Sequence, residues 1–279
     1  IPMLSLENTY SPDELIKWMK NIEKDYPNSK FDVEWKWDGN SLSVKYKNGL
    51  IERAVTRGDG VEGRDVTANA KMLKGLPHRV RDFTGEVRGE VVIGKQDFLE
   101  INEIRRKEGL EEFANPRNAA SIISSGKNPK DILDRRMKFI AFKLMNDTMR
   151  SVDEKLFLND NEFTVSNVID AITVESDIPK LVSIFDKSKE HQPYPIDGLV
   201  VSIRDKNTRV DLGEGNKFPH WSKAYKFNPE GGLTKLLDVV WQVGRTGALT
   251  PVGILEPVLL SQSTVSKVTL HNIDFIEMK

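Results

Sequence analysis

The chain has 279 residues, with 38% hydrophobic and 30% charged side chains, a formal net charge of −1 and no cysteine. This length suits one large domain or two smaller ones, and the missing cysteine excludes disulfides and cysteine zinc sites within the chain. Near-neutral charge argues neither for nor against nucleic acid, so any basic face has to be local. No apolar run approaches the roughly 20 residues of a membrane helix. The simplest expectation is a reducing, cytoplasmic setting.

In chain order, an apolar segment at 1–6 precedes Ser11-Pro12-Asp13-Glu14, a capping box with proline at the first helical position. The helix it predicts runs to about Asp25, with Leu15, Trp18 and Met19 on one stripe. Phe31 to Lys36 reads as a strand. Leu42, Val44 and Tyr46 alternate with polar residues, and Asn48-Gly49 signals a hairpin. A Gly- and Asp-rich loop spans Arg57 to Asp65, followed by a short helix to about Leu73. Further strands are predicted at Gly85–Ile93, Met137–Met145, Gly198–Ile203 and Ala224–Phe227. Helices are predicted at Gln96–Glu108, after Arg117, at Val152–Leu158 and at Ile178–Ser188. Asn228 to Gly232 is the candidate linker, after which Leu236–Val243, Pro251–Leu260 and Val265–His271 read as β. The fold class is α+β: a mixed domain over 1–229, then an incomplete β-rich segment over 230–279.

Val33-Glu34-Trp35-Lys36-Trp37-Asp38-Gly39 delivers one lysine on a strand, then an acid, then a glycine turn. A lysine attacks phosphorus only as the free amine, and its reference pKa is about 10.4, so burial or neighbouring positive charge has to lower it. Trp35 and Trp37 would supply a dry wall, Asp38 would orient the ammonium or hold a metal, and Gly39 would leave room for a nucleotide. Arg88-Gly89-Glu90 is read as a base and an acid on alternate strand faces. Asp197-Gly198 repeats the acid-glycine pattern before apolar residues. Lys223 and Lys226 lie on a strand with cations spaced for phosphate. Each pattern alone is more often an ordinary turn or surface strand; their order carries the information.

That order resembles the covalent nucleotidyltransferases: DNA and RNA ligases and capping enzymes. The intervening segments are similar to the NAD+-dependent DNA ligases. They are Pro2-Met3-Leu4-Ser5-Leu6, Thr56-Arg57-Gly58-Asp59-Gly60, Phe113 to Ala120, Val243-Gly244-Arg245-Thr246-Gly247 and Thr269-Leu270-His271-Asn272. The resemblance implies a nucleotidyltransferase domain with ATP-grasp-like antiparallel sheets, followed by the first strands of an oligonucleotide-binding (OB) fold. It implies that Lys36 takes AMP from NAD+, with Mg2+, and passes it to the 5′-phosphate of nicked double-stranded DNA. Under it, Glu34 accepts from the adenine amino group, Glu90 binds the ribose beside Arg88, and Phe142 and Val200 sandwich adenine. Ser5 and Leu6 line the pocket, and Asp38 assists Lys36. Arg117, Asp197 and Lys226 meet phosphate charge, while Arg57 and Arg245 face the nick.

Departures are also legible. The family strand after Asp197-Gly198 normally ends in a lysine; here it is Ser202, with Arg204 next on that face. A second arginine expected after Arg117 is replaced by Ser124-Ser125, with Lys127 the nearest cation. The family arginine before Asp197 corresponds to Lys189. The expectation is a site lacking two phosphate-facing cations. The nicotinamide-mononucleotide-binding module, the remaining OB strands, the zinc finger and the helix-hairpin-helix portion are not in the sequence. This leads to the expectation of an adenylation subunit or fragment of a viral or split ligase, with the missing OB strands supplied by a second chain or by sequence outside this stretch. Two other readings are an ATP-dependent RNA ligase or capping enzyme, and a non-catalytic DNA-binding subunit decayed from a ligase.

Overall fold

The computed structural model describes residues 3–127, 136–145, 154–228, 231–244, 247–260 and 263–271. The chain divides into two compact units, 1–227 and 228–279.

Strand β1 (Glu7–Thr9) leads into helix α1 (Pro12–Asp25), where the Ser11 side chain accepts from the Glu14 amide. The reciprocal arm of the capping box is diverted: Glu14 Oε2 accepts instead from the Thr9 hydroxyl at 2.5 Å. Leu15, Met19 and Ile22 are buried, the stripe expected of an amphipathic helix. Strands β2 (Phe31–Trp37), β3 (Asn40–Lys47) and β4 (Leu50–Thr56) follow. The β3–β4 hairpin turns through Asn48 and Gly49 with φ of +51° and +81°, the left-handed pair that a two-residue hairpin requires. After a short helix α2 (Thr67–Ala70) come β5 (Gly85–Val92), α3 (Lys95–Lys107), α4 (Pro116–Ser124) and β6 (Lys138–Met145). The first unit is completed by α5 (Glu154–Asp160), β7 (Val168–Ile172), α6 (Ile178–Ser188), β8 (Ile196–Ile203), α7 (Lys206–Leu212) and β9 (Ser222–Lys226).

Two sheets form this unit. One has the order β1-β9-β8-β2-β7, antiparallel except where β1 runs parallel to β9; the other is β4-β3-β5-β6. Each sheet gives one face to a hydrophobic core. Phe31, Val33, Trp35, Leu199, Val201 and Ile203 pack with α1 and α6 residues. Leu42, Val44, Val87, Val91 and Phe139 pack with α3 and α4 residues. The opposite face of β2 and β8 is left for the site. β7, α7 and β1 were not among the predicted elements.

Glycines hold strands close. A Cβ on Gly198 would lie 2.1 Å from the Tyr225 carbonyl oxygen on the neighbouring β9. Gly198→Ala is therefore expected to force β8 and β9 apart and lower stability by at least about 2 kcal/mol, read as a lower melting temperature. An unchanged melt would mean the strands accommodate the methyl.

The second unit contains β10 (Leu236–Val243), β11 (Leu249–Leu260) and β12 (Ser263–Thr269), paired antiparallel in a meander. No helix among the described residues is long and apolar enough to cross a membrane.

Candidate active site

Strand alternation puts Asp32, Glu34 and Lys36 on the face of β2 opposite Phe31, Val33 and Trp35. These three polar residues line a cavity of about 1120 Å³. In register, Lys36 pairs with Gly198, Glu34 with Val200 and Asp32 with Ser202, so the floor consists of successive rows running away from the lysine. Trp35 is buried in the core, edge-on to Phe185 at 5.7 Å, and Trp37 packs partly buried against the same core and donates to the Ser166 hydroxyl at 3.0 Å; both also border the cavity.

Lys36 Nζ lies 3.0 Å from both oxygens of Asp197, and Lys226 Nζ lies 3.4 Å from Asp197 Oδ2. One carboxylate joins two ammonium groups from β2 and β9. Asp38, just past the strand, accepts from Arg117 Nη1 at 2.8 Å. Arg117 reaches it because Asn115 caps α4, accepting from the Asn118 amide, with Pro116 starting the helix. Asp38 therefore orients an arginine, not the lysine ammonium.

Arg88 and Glu90 both open onto the cavity, which corrects their reading as opposite-facing: residues two apart on a strand share a face. Glu90 accepts from the Gly39 amide at 3.2 Å and the Ser41 hydroxyl at 2.7 Å. Burial pushes its carboxyl up to about 7, against the lowering effects of Ser41, Lys36 and Arg117. Gly39 is needed for close backbone approach: a Cβ there would sit 2.1 Å from the Val91 carbonyl oxygen. Arg88 is salt-bridged to Glu86.

Ser5, Leu6, Phe142 and Val200 line the same cavity. Glu34 is held by Lys155 from α5; burial nevertheless raises its carboxyl above the ordinary value, with Lys155 opposing. Lys155 was missed in the sequence because no motif surrounds it. The available signal was the pair of acids, Asp32 and Glu34, on one half-buried strand face, which has to recruit cations. Arg204 is the other recruit, 2.6 Å from Asp32, so it is committed there and does not stand in for the lysine absent at 202. At the same end, Trp221 carries Lys143 4.5 Å and Arg209 5.2 Å from its ring centroid.

Arg57 lines the cavity, its amide bonded to the Ser41 carbonyl. Two expected residues are not brought in. Lys189 is absent from the lining; its ammonium pairs with Asp186 at 2.8 Å and sits 5.2 Å from the Phe227 ring centroid. Lys223 faces the other way, 3.0 Å from Glu7. Arg245 lies outside the described residues. Where the second arginine was expected, Arg64 approaches from the glycine-rich loop and donates to the Ser125 carbonyl at 3.2 Å. Among the described residues no three His, Asp or Glu side chains converge as a metal site.

A strand lysine beside Asp-Gly, set in a cavity between antiparallel sheets, defines a nucleotidyltransferase fold. The match narrows further: residues 1–230 match the NAD-dependent DNA ligase adenylation domain and 233–279 the NAD-dependent DNA ligase OB-fold domain, and the chain belongs to this family. It is 38% identical over 301 residues to a DNA ligase of Aquifex aeolicus, covering 100% of this chain and 41% of the relative. It is 39% identical over 289 residues to a DNA ligase of Fusobacterium nucleatum, again covering 100% and 41%. The chain thus spans about two-fifths of the length of the curated relatives it matches. The structure of a mycobacterial DNA ligase D complexed with ATP and MES aligns over 90% of this chain and 70% of its own, at 18% identity and TM-score 0.46.

Proposed function

We propose that this chain is the nucleotide-loading part of a DNA ligase that takes AMP from NAD+ and works in the cytoplasm on nicked double-stranded DNA. The observation that carries the reading is Lys36 in the family-matched cavity, held at 3.0 Å by Asp197 with Lys226 alongside. Nζ loses a proton, for which the Asp197 carboxylate is the nearest acceptor, and attacks the adenylyl phosphorus. An N–P bond forms, the bridging P–O bond breaks, and its electron pair leaves on nicotinamide mononucleotide. Lys226 and Arg117 offset the charge that gathers on the phosphate oxygens. AMP then passes to the 5′-phosphate of the nick, and Arg57 contacts DNA, chiefly fixing position.

In this reading Glu34, Phe142 and Val200 receive the base, Ser5 and Leu6 border it, and Glu90 and Arg88 face the sugar. Asp38 and Asp197 are the carboxylates beside the lysine that would hold Mg2+, and each already shares its charge with Arg117 or with Lys36 and Lys226, so the ion would depend on phosphate oxygens for the rest of its ligands. When bound, the ion would neutralise phosphate charge.

The test is intact-protein mass spectrometry after incubation with Mg2+ and either NAD+ or ATP. A gain of one AMP with NAD+ alone is expected. An adduct formed from ATP would point instead to an ATP-dependent ligase. No adduct from either, together with no AMP removed from a pre-adenylylated nick, would overturn the enzymatic reading.

A further inference from the structure

The exchange of a family lysine for Ser202 changes meaning once the strands are in register. Ser202 pairs with Asp32, whereas Lys36 pairs with Gly198. Four residues of strand separate Gly198 from Ser202, roughly 13 Å at about 3.3 Å per residue. Ser202 is therefore on the far side of the Glu34–Val200 row from Lys36, so the cation is missing from the base end and not from the phosphate end. Its hydroxyl is paired with Ser222 at 2.8 Å and brings no charge.

An ammonium nevertheless reaches this end, from a different element. Lys155 projects from α5 to the Glu34 carboxylate and donates to the Ser166 carbonyl at 2.5 Å. Lys155, Glu34 and Ser202 line the same cavity. Of the other cations at this end, Arg204 is held by Asp32, and Lys143 and Arg209 lie against the Trp221 ring.

We propose that Lys155 and Glu34 together read the adenine edge, Lys155 donating to N1 and Glu34 accepting from the 6-amino group. This rests on the cavity being the AMP site. The chemistry is complementary: adenine presents an acceptor, N1, beside a donor, the amino N–H. A carboxylate and an ammonium held against each other offer the matching acceptor and donor. Glu34 alone would leave N1 buried without a donor, which is costly in a site that excludes water. The helix thus supplies what the end of β8 does not, and Lys155 is a specificity residue that no motif marks.

Calorimetric binding of AMP and of 1-deaza-AMP, which lacks N1, tests this on the full chain. The unmodified protein is expected to prefer AMP by on the order of tenfold to a hundredfold. Lys155→Met should weaken AMP by a similar factor and bring the preference close to one. Adding Ser202→Lys to that variant should restore part of both, since the new ammonium enters the same chamber. Equal affinity of the unmodified protein for the two nucleotides would overturn the proposal, and this arm needs no variant to fold. A Lys155→Met protein that keeps the full preference would also overturn it, leaving Lys155 as a counter-charge for Glu34 only. A folded, unmodified chain that binds neither nucleotide would reject the AMP-site reading itself, a result distinct from loss of discrimination.

Discussion

Lys36→Arg is expected to leave the chain folded and to abolish formation of the AMP adduct. Arginine keeps the positive charge opposite Asp197 and offers it two donors, so the partly buried carboxylate stays compensated. A guanidinium, however, is not deprotonated in proteins and provides no amine lone pair for attack. The expected loss is at least on the order of a thousandfold, as for removal of other covalent nucleophiles. The cost to stability is within about 1 kcal/mol, because both side chains of the pair are 21% exposed. Lys36→Ala would not separate these effects, since it leaves Asp197 with Lys226 at 3.4 Å and deletes charge and nucleophile together. The measurement is adduct mass with NAD+ and Mg2+, beside a thermal melt. A residual adduct on Lys36→Arg would move the nucleophile to another residue, and the adduct's position by peptide mapping would identify it.

The sequence carried local structure well and side-chain partnerships poorly, for a physical reason. Helix α1, the Asn48-Gly49 turn and the Asn115-capped α4 are dictated by residues within a few positions of each other, and each is present. The apolar face of β2 was legible because alternation has period two. Alternation also dictates that Trp35 faces the core if Lys36 faces the cavity, and that Arg88 and Glu90 share a face, the latter against the expectation. The sheet order was not legible: β1 pairs with β9 across more than two hundred residues, Glu7 against Lys223. The short β7 has a mixed burial pattern and gave no clean period. Charge pairing has no sequence period. Lys155 meets Glu34 from 121 residues away, and Arg204 meets Asp32 from 172 away. A substitution placed by motif alone can therefore be assigned to the wrong end of the site: Ser202 reads in the sequence as a lost phosphate contact, while strand register puts it beyond the Glu34 row.

Glu90→Gln should change the pH dependence of stability strongly. The Glu90 side chain is buried and its carboxyl is raised from 4.5 to about 7, with burial the largest cause, opposed by Ser41, Lys36 and Arg117. Because the folded state holds this proton more tightly than the unfolded chain, the group's contribution to stability is present below 4.5 and is lost as pH rises through about 7. A shift of that size corresponds to roughly 3 kcal/mol, reached progressively between those two values and constant above them. Glutamine is not ionised at any of these pH values. Its oxygen can accept from the Gly39 amide, but its NH2 then faces Ser41, whose hydroxyl has to turn round and accept, a rearrangement that costs about 1 kcal/mol at every pH. The two stability curves should therefore cross. The crossing falls near pH 5, where the two proteins should be about equally stable, and the variant should be more stable by about 2 kcal/mol at pH 8. Urea denaturation of both proteins at pH 5, 6, 7 and 8 measures this. Parallel curves would mean that Glu90 is not titrating in the folded state within this range, and that the buried carboxylate is compensated by Lys36 and Arg117 more fully than burial penalises it.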